Sequence, residues 1–181
     1  LKKCVLELGG SDPFLVLDTS DVDAAAEMAV AGRMENSGQA CNASKRCIVL
    51  DKYYDEFVEK FTAKMMAQNE AKDPSQAGGD FGPLSSLKAA EGLEKQVESA
   101  VADGAKIPKQ GERDGAHFPT AVLTDITPDM AAYREELFGP VGTVYRAKDV
   151  EDAIRIANDS PYGLGSILSL IHISEPTRPR L

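Results

Sequence analysis

The sequence predicts an α/β layer fold, and two observations carry that prediction. Short apolar runs of strand length alternate along the chain with longer segments whose apolar residues recur at helical spacing. The helical segments also open on capping residues and close on glycine or polar turns, so the alternation is punctuated where an alternating fold needs it. The 181 residues suffice for one domain with a sizeable core, and they contain no internal repeat or low-complexity segment.

Taken in order, residues 4–8 (CVLEL) form an apolar run ended by Gly9-Gly10 and are expected to be a strand. A second short strand runs from Phe14 to Leu17. Thr19-Ser20-Asp21 is a helix-start signal with Asp21 as N-cap, and Val22, Ala25, Ala26, Ala29, Val30 and Met34 make the apolar stripe that follows. That helix should fail near Asn36-Ser37-Gly38. Residues 46–50 read as a strand and 53–70 as a helix with Phe57, Phe61 and Met65 on one face. Pro74 to Pro83 is a turn-rich loop. A third helix over 86–103 carries Leu93, Val97 and Val101 and stops at Gly104. Short strands surround a polar loop within 105–124, and 141–146 alternates like a strand. Asp149 caps a last helix with Val150, Ala153, Ile154 and Ala157 on its stripe.

The net charge of −9 argues against a nucleic-acid or anionic-membrane partner, because both need basic surface. No run of eighteen apolar residues exists, so no spanning helix is expected. Cys4, Cys41 and Cys47 fit neither a disulfide framework nor a metal clip, and a reducing, cytoplasmic setting is the default expectation. The first residues are too short for a signal peptide and read as a sequence entered mid-protein. From Leu168 onward, LSLIHISEPTRPRL has no period and two prolines. Residues 168–178 are also the in-frame translation of a common transposase sequencing adapter. The expectation is therefore a body over 1–167 and a non-native tail over 168–181 that packs poorly; the competing reading is a genuine strand with a Pro-rich terminus.

Three places could hold chemistry. Cys41 lies in the small polar segment Asn36-Ser37-Gly38-Gln39-Ala40-Cys41-Asn42 just after a helix, whereas Cys4 and Cys47 have apolar neighbours. A thiol in a polar turn can reach its reactive thiolate form, although a small space-filling residue would look the same on these grounds. Glu7 is a carboxylate in an apolar run; burial would tune it toward a general base, while an outward-facing side chain on an alternating strand would leave it ordinary. Glu135-Glu136 before Phe138-Gly139-Pro140 makes a polar rim beside an aromatic, suited to ribose hydroxyls, or else an exposed acidic turn. Neither GxGxxG nor GxxxxGK[ST] occurs, His117 and His172 are isolated, and no metal site is expected.

Three segments together resemble the aldehyde dehydrogenase superfamily: LELGG at 6–10, GQAC at 38–41 and EELFGPV at 135–141, supported by PTAVLTDITPDM at 119–130 and ANDSPYGLGS at 157–166. The resemblance covers residues 1 to about 167. It implies a catalytic-domain fragment built on an open, mostly parallel sheet with flanking helices. It implies Cys41 as nucleophile and Glu7 as the base that activates the hydrolytic water. Glu136 would bind the nicotinamide ribose, Phe138 would pack beside the nicotinamide, and Leu8 and Gly9 would line that side of the pocket. The cofactor is NAD or NADP and the partner a small-molecule aldehyde, with the parent enzyme a homodimer or homotetramer. The main cofactor-binding domain and the oxyanion Asn would precede Leu1, so the fragment alone is expected to be inactive.

Within the superfamily, ELGGSDPFLVLDTSDVD and NSGQACNASKR are most similar to bacterial succinate-semialdehyde dehydrogenases. One branch of that group has an arginine six residues before the nucleophile, gripping the substrate carboxylate; Glu35 stands there in this chain. Lys45 and Arg46 are the nearby cations in sequence. Two other classes compete. An acylating dehydrogenase or acyl-phosphate reductase would keep the cysteine without needing Glu7, and a structural or interaction protein on the same fold would need none of Cys41, Glu7 and Glu136.

Overall fold

A computed structural model describes residues 2–71, 73, 78–108 and 111–169. Five strands form one sheet: β1 (Asp12–Val16), β2 (Ser44–Leu50), β3 (Ala121–Leu123), β4 (Val141–Ala147) and β5 (Ile167–Ser169). Their order is β3-β4-β2-β1-β5, and every pairing is parallel. The helices are α1 (Val22–Met34), α2 (Asp51–Met66), α3 (Leu87–Ala102), α4 (Ala131–Arg134) and α5 (Val150–Asn158), with a short 3-10 segment over Glu35–Gly38. The open parallel sheet with flanking helices is the expected architecture.

A parallel sheet needs crossovers, and crossovers place helices on both faces, so its strands must be apolar on both sides. Phe14 and Val16, Cys47 and Val49, Val122 and Val144 point to one face, where they pack with Ala26, Ala29 and Val30 of α1 and Phe57, Phe61 and Met65 of α2. Leu15, Ile48, Leu50, Leu123, Tyr145 and Ala147 point to the other, against Leu93 and Val97 of α3 and Ala153 and Ile156 of α5. Each large aliphatic or aromatic side chain buried this way contributes about 1.5–3 kcal/mol. Pro13 has no N–H to give a neighbour, and the β1–β2 register shifts between Asp12 and Pro13.

The caps form as read from the sequence. Asp21 accepts from the Ala24 N–H (3.0 Å) and Asp149 from the Asp152 N–H (2.8 Å). Several details differ. Residues 2–8 are not a strand: they carry no regular structure and are exposed, with Val5, Leu6 and Leu8 each more than 70 % accessible. An alternating run becomes a strand only when a neighbour accepts its hydrogen bonds, and the edge of the described sheet beyond β1 is taken by β5. Cys4 is therefore exposed, unlike Cys47. Helix α2 starts two residues before the expected position and ends four before it. Val101 of α3 and Val150 and Ile154 of α5 face outward, while Ala100 and Ile156 take the buried positions. Short helices with many alanines leave two stripes of similar hydropathy, and packing chooses between them.

Leu168 and Ser169 belong to β5 on the sheet edge, where Ile167 and Leu168 remain accessible. Residues 170–181, His172 and most of the expected tail among them, lie outside the described residues, as do 74–77 of the expected loop. No helix among the described residues is long and apolar enough to cross a membrane.

Candidate active site

The candidate residues gather where chain segments enter the strands. Gly9-Gly10 precede β1, Cys41 precedes β2, Glu136 and Phe138 precede β4, and Tyr162 precedes β5. Because the sheet is parallel, all four entries lie along its amino edge. Open α/β sheets more often bind ligands beyond the carboxyl ends of their strands, so topology alone would point to the edge opposite these candidate residues.

The Cys41 loop is held in a shape that helices do not allow. Asn36, Ser37 and Gly38 all have positive φ (51°, 61° and 75°), which ends α1 sharply and turns the chain back to β2. The Ser37 hydroxyl accepts from the Gly82 N–H (2.9 Å), and Gln39 Oε1 accepts from the Ser85 N–H (2.8 Å). Gly10 lies against the Cys41 carbonyl so closely that a methyl group there would overlap it. Cys41 is half-buried, and among the described residues no backbone carbonyl accepts its N–H. Cys47, by contrast, is fully buried, and that burial pushes its thiol up to about 12, so it stays protonated.

Lys45 ties the parts together. Its Nζ donates to the carbonyls of Ala40 (2.7 Å) and Cys41 (3.0 Å) and pairs with Glu136 Oε1 at 3.1 Å. It also lies 5.9 Å from the centre of the Phe138 ring. Burial, and then the Arg33 charge, push this ammonium below its ordinary range, while Glu136 opposes the shift. Glu136 Oε1 also accepts from the Gly10 N–H at 3.2 Å. Its Oε2 makes no hydrogen bond among the described residues and looks past Gly9, whose positive φ of 77° suits glycine. A side chain at Gly9 would come within 2.9 Å of both Glu136 Oε2 and the Tyr162 ring. The free carboxylate oxygen and the partly exposed Phe138, both near Lys45, offer one acceptor and one apolar face, which fits a sugar hydroxyl next to a flat ring.

The structure thus brings together Gly9, the Cys41 loop, Glu136 and Phe138. Glu7 and Leu8 stand apart: both are exposed, and Glu7 has no hydrogen bond or ion pair among the described residues, contrary to the buried setting considered from the sequence. A cleft of about 320 Å³ nearby is lined by Ser11, Asp12, Arg46, Tyr162 and Gly165. Neither Cys41 nor Glu136 lines it, so the polar cluster, not that cleft, marks the candidate site. Sequence reasoning missed the roles of two residues. Lys45 is itself buried in the wholly buried strand β2, and Arg33 falls on the buried stripe of α1, three residues after Val30 and four after Ala29. A cation on an apolar stripe was the available signal.

The aldehyde dehydrogenase family model matches residues 1–172. This chain belongs to the aldehyde dehydrogenase family. A succinate-semialdehyde dehydrogenase [NADP(+)] of Deinococcus radiodurans is 51 % identical over 170 residues, covering 91 % of this chain and 35 % of that protein. The Mycobacterium leprae protein of the same name is 50 % identical over 169 residues, covering 92 % and 37 %. Among solved structures, succinate-semialdehyde dehydrogenase from Burkholderia pseudomallei superposes with a TM-score of 0.87 at 36 % identity, over 96 % of this chain and 36 % of that one. This aldehyde dehydrogenase family chain therefore spans about a third of the length of its relatives.

Proposed function

We propose that this chain is the catalytic-domain segment of a longer enzyme that oxidises an aldehyde to its carboxylic acid through a thioester on Cys41. The observation that carries the reading is the single cluster formed by the Cys41 loop, Lys45, Glu136 and Phe138. The Cys41 thiolate attacks the aldehyde carbon and forms the C–S bond. The Cys41 N–H, which no described backbone carbonyl occupies, is available to the resulting oxyanion. NAD(P)+ supplies the hydride acceptor, and the relatives' names favour NADP+. Glu136 Oε2 would accept from the ribose of that group and the Phe138 ring would support its flat face. Water then attacks the thioester carbon, its proton passes to Glu7, and the C–S bond breaks to return the Cys41 thiolate and release the acid. Glu7 lies three residues before Gly10, so the chain keeps it within about 10 Å of the residue that touches the Cys41 carbonyl.

Glu7 is also what favours hydrolysis over release to another acceptor, since an acylating enzyme has no use for a base directed at water. Succinate semialdehyde is the leading substrate because relatives 51 % and 50 % identical to this chain carry that name. Its carboxylate would have to be gripped from elsewhere in the longer enzyme. Glu35 is exposed at the end of α1, and both cations near Cys41 in sequence are committed inside the fold, Lys45 to Glu136 and Arg46 to the carbonyls of Ser11, Ile156 and Ala157.

The deciding experiment is Cys41→Ser in the longer enzyme, followed by reduced-cofactor absorbance with aldehyde present. Turnover is expected to vanish while cofactor affinity stays near that of the parent, because a hydroxyl is a far weaker nucleophile than a thiolate. Undiminished turnover would remove the assignment.

A further inference from the structure

We propose that Arg33 is a positioning residue that holds the Cys41 loop and the 137–139 segment at one fixed separation, and so sets the nucleophile against the cofactor face. The proposal rests on the roles given to Cys41 and Phe138 above. Arg33 lies in the last turn of α1 and is completely buried. Its Nη2 donates to the carbonyls of Gly38 (2.8 Å), Leu137 (3.1 Å) and Gly139. Gly38 is three residues before Cys41, and Leu137 and Gly139 flank Phe138. One nitrogen therefore joins two segments about a hundred residues apart in the chain.

The arrangement is costly unless the connection matters. No carboxylate pairs with Arg33 among the described residues, and its Nε and Nη1 have no hydrogen-bond partner. Burial, which pushes the group down to about 10 against the opposing pull of the Glu136 carboxylate, reflects the same cost. A Met or Leu would fill similar volume without desolvating a charge. What only a cation with N–H donors supplies is a point where three carbonyl oxygens can converge instead of repelling one another. The segments are in direct backbone contact at that point: a methyl on Gly38 would overlap the Gly139 carbonyl and come within 2.5 Å of Arg33 Nη2. Lys45 makes a parallel connection, but through the Glu136 side chain that would touch the cofactor. The hydrogen bonds of Arg33 go only to backbone carbonyls, so it acts through the two loops it holds.

Loosening this connection should damage the step that needs both loops and spare the step that needs one. Hydride transfer requires the carbon held on Cys41 to face the cofactor. Cleavage of an activated ester does not need the cofactor: the thiolate attacks the acyl carbon of p-nitrophenyl acetate, the C–O bond breaks, p-nitrophenolate leaves, and water, with Glu7 as base, then hydrolyses the thioester. The experiment compares Arg33→Lys and Arg33→Met with the parent in the longer enzyme. Aldehyde oxidation is followed with ordinary and aldehyde-deuterated substrate, ester cleavage without cofactor, and folding by circular dichroism and thermal unfolding.

The expected result is a fall in dehydrogenase kcat of about tenfold or more, with a deuterium isotope effect emerging on kcat, since misplacement of about 1 Å can cost a hundredfold. Ester cleavage should change by less than about twofold, because it does not depend on the loop separation. Arg33→Met keeps the volume without the donors and should be the more damaged of the two. Equal loss of both reactions, loss of neither, or failure of both variants to fold would each overturn the proposal and leave Arg33 a structural residue. Cys41→Ser, run alongside, must abolish both reactions. If it does not, the reading of Cys41 itself has failed, and the proposal with it.

Discussion

In the proposed mechanism Glu7 and Cys41 divide the chemistry, and the two should fail differently. Glu7→Gln removes the base but leaves the nucleophile, so acylation continues while hydrolysis slows. The expected signature in rapid-mixing experiments on the longer enzyme is a burst of reduced cofactor, roughly one per active site, followed by slow turnover. Unchanged steady-state turnover would take Glu7 off the list. Gly10 makes a sharper structural demand. Its methyl-sized neighbour space is already filled by the Cys41 carbonyl, and its N–H donates to Glu136. Gly10→Ala should therefore lower kcat and weaken cofactor binding together, measured as kcat against the cofactor KM, because one displacement moves both the Cys41 loop and the Glu136 carboxylate to which the proposal assigns the ribose.

Among the elements, α5 shows how local chemistry and packing share the work. Asp149 caps it, Asp152 takes both the Lys148 N–H and the Arg155 guanidinium, and only Ala153 and Ile156 are buried beneath it. With so thin a buried stripe, the cap matters. Asp149→Ala should cost about 1 kcal/mol in denaturant unfolding. The Arg155 side chain, and then the Lys148 backbone, hold the Asp152 carboxyl below its ordinary 3.8. A carboxyl lowered in the folded state contributes stability above its unfolded value and loses it as the pH falls through the folded value. The stability gap between the parent and Asp152→Asn should thus be full at neutral pH and close below 3.8, as urea titrations across that range would record. A gap independent of pH would show that the ion pair contributes nothing to α5.

For the whole molecule, the decisive fact is the share of the relatives that it covers, about a third. On the proposed reading, the described residues supply the thiol and one edge of a cofactor face, Glu136 Oε2 and Phe138. They hold no glycine-rich cradle for phosphates. The 181-residue chain alone is accordingly expected to show no growth of reduced-nicotinamide absorbance with aldehyde and either NAD+ or NADP+. Robust turnover by the purified chain would mean that the cofactor needs far less surface than the ribose and ring contacts leave to other parts of the enzyme.

Periodicity and capping residues in the sequence determined most of the layers. Asp21 and Asp149 mark helix starts because their carboxylates satisfy N–H groups that the helix itself leaves unpaired, and Phe57, Phe61 and Met65 mark a buried face because one helical turn brings them into line. The sequence also isolated the segments around Cys41 and Glu136, since polar residues at strand entries stand out from their apolar surroundings. Only the tertiary structure decided that those segments meet at the amino edge of the sheet, joined by Lys45 and Arg33. It also decided that residues 2–8 find no strand partner, and that Val101 and Ile154 face out while Ala100 and Ile156 face in. The physical reason is the same in each case. Spacing along a chain reports which residues share a face, but a strand needs a neighbour, a buried cation needs carbonyls from distant segments, and a choice between similar stripes needs the opposing surface.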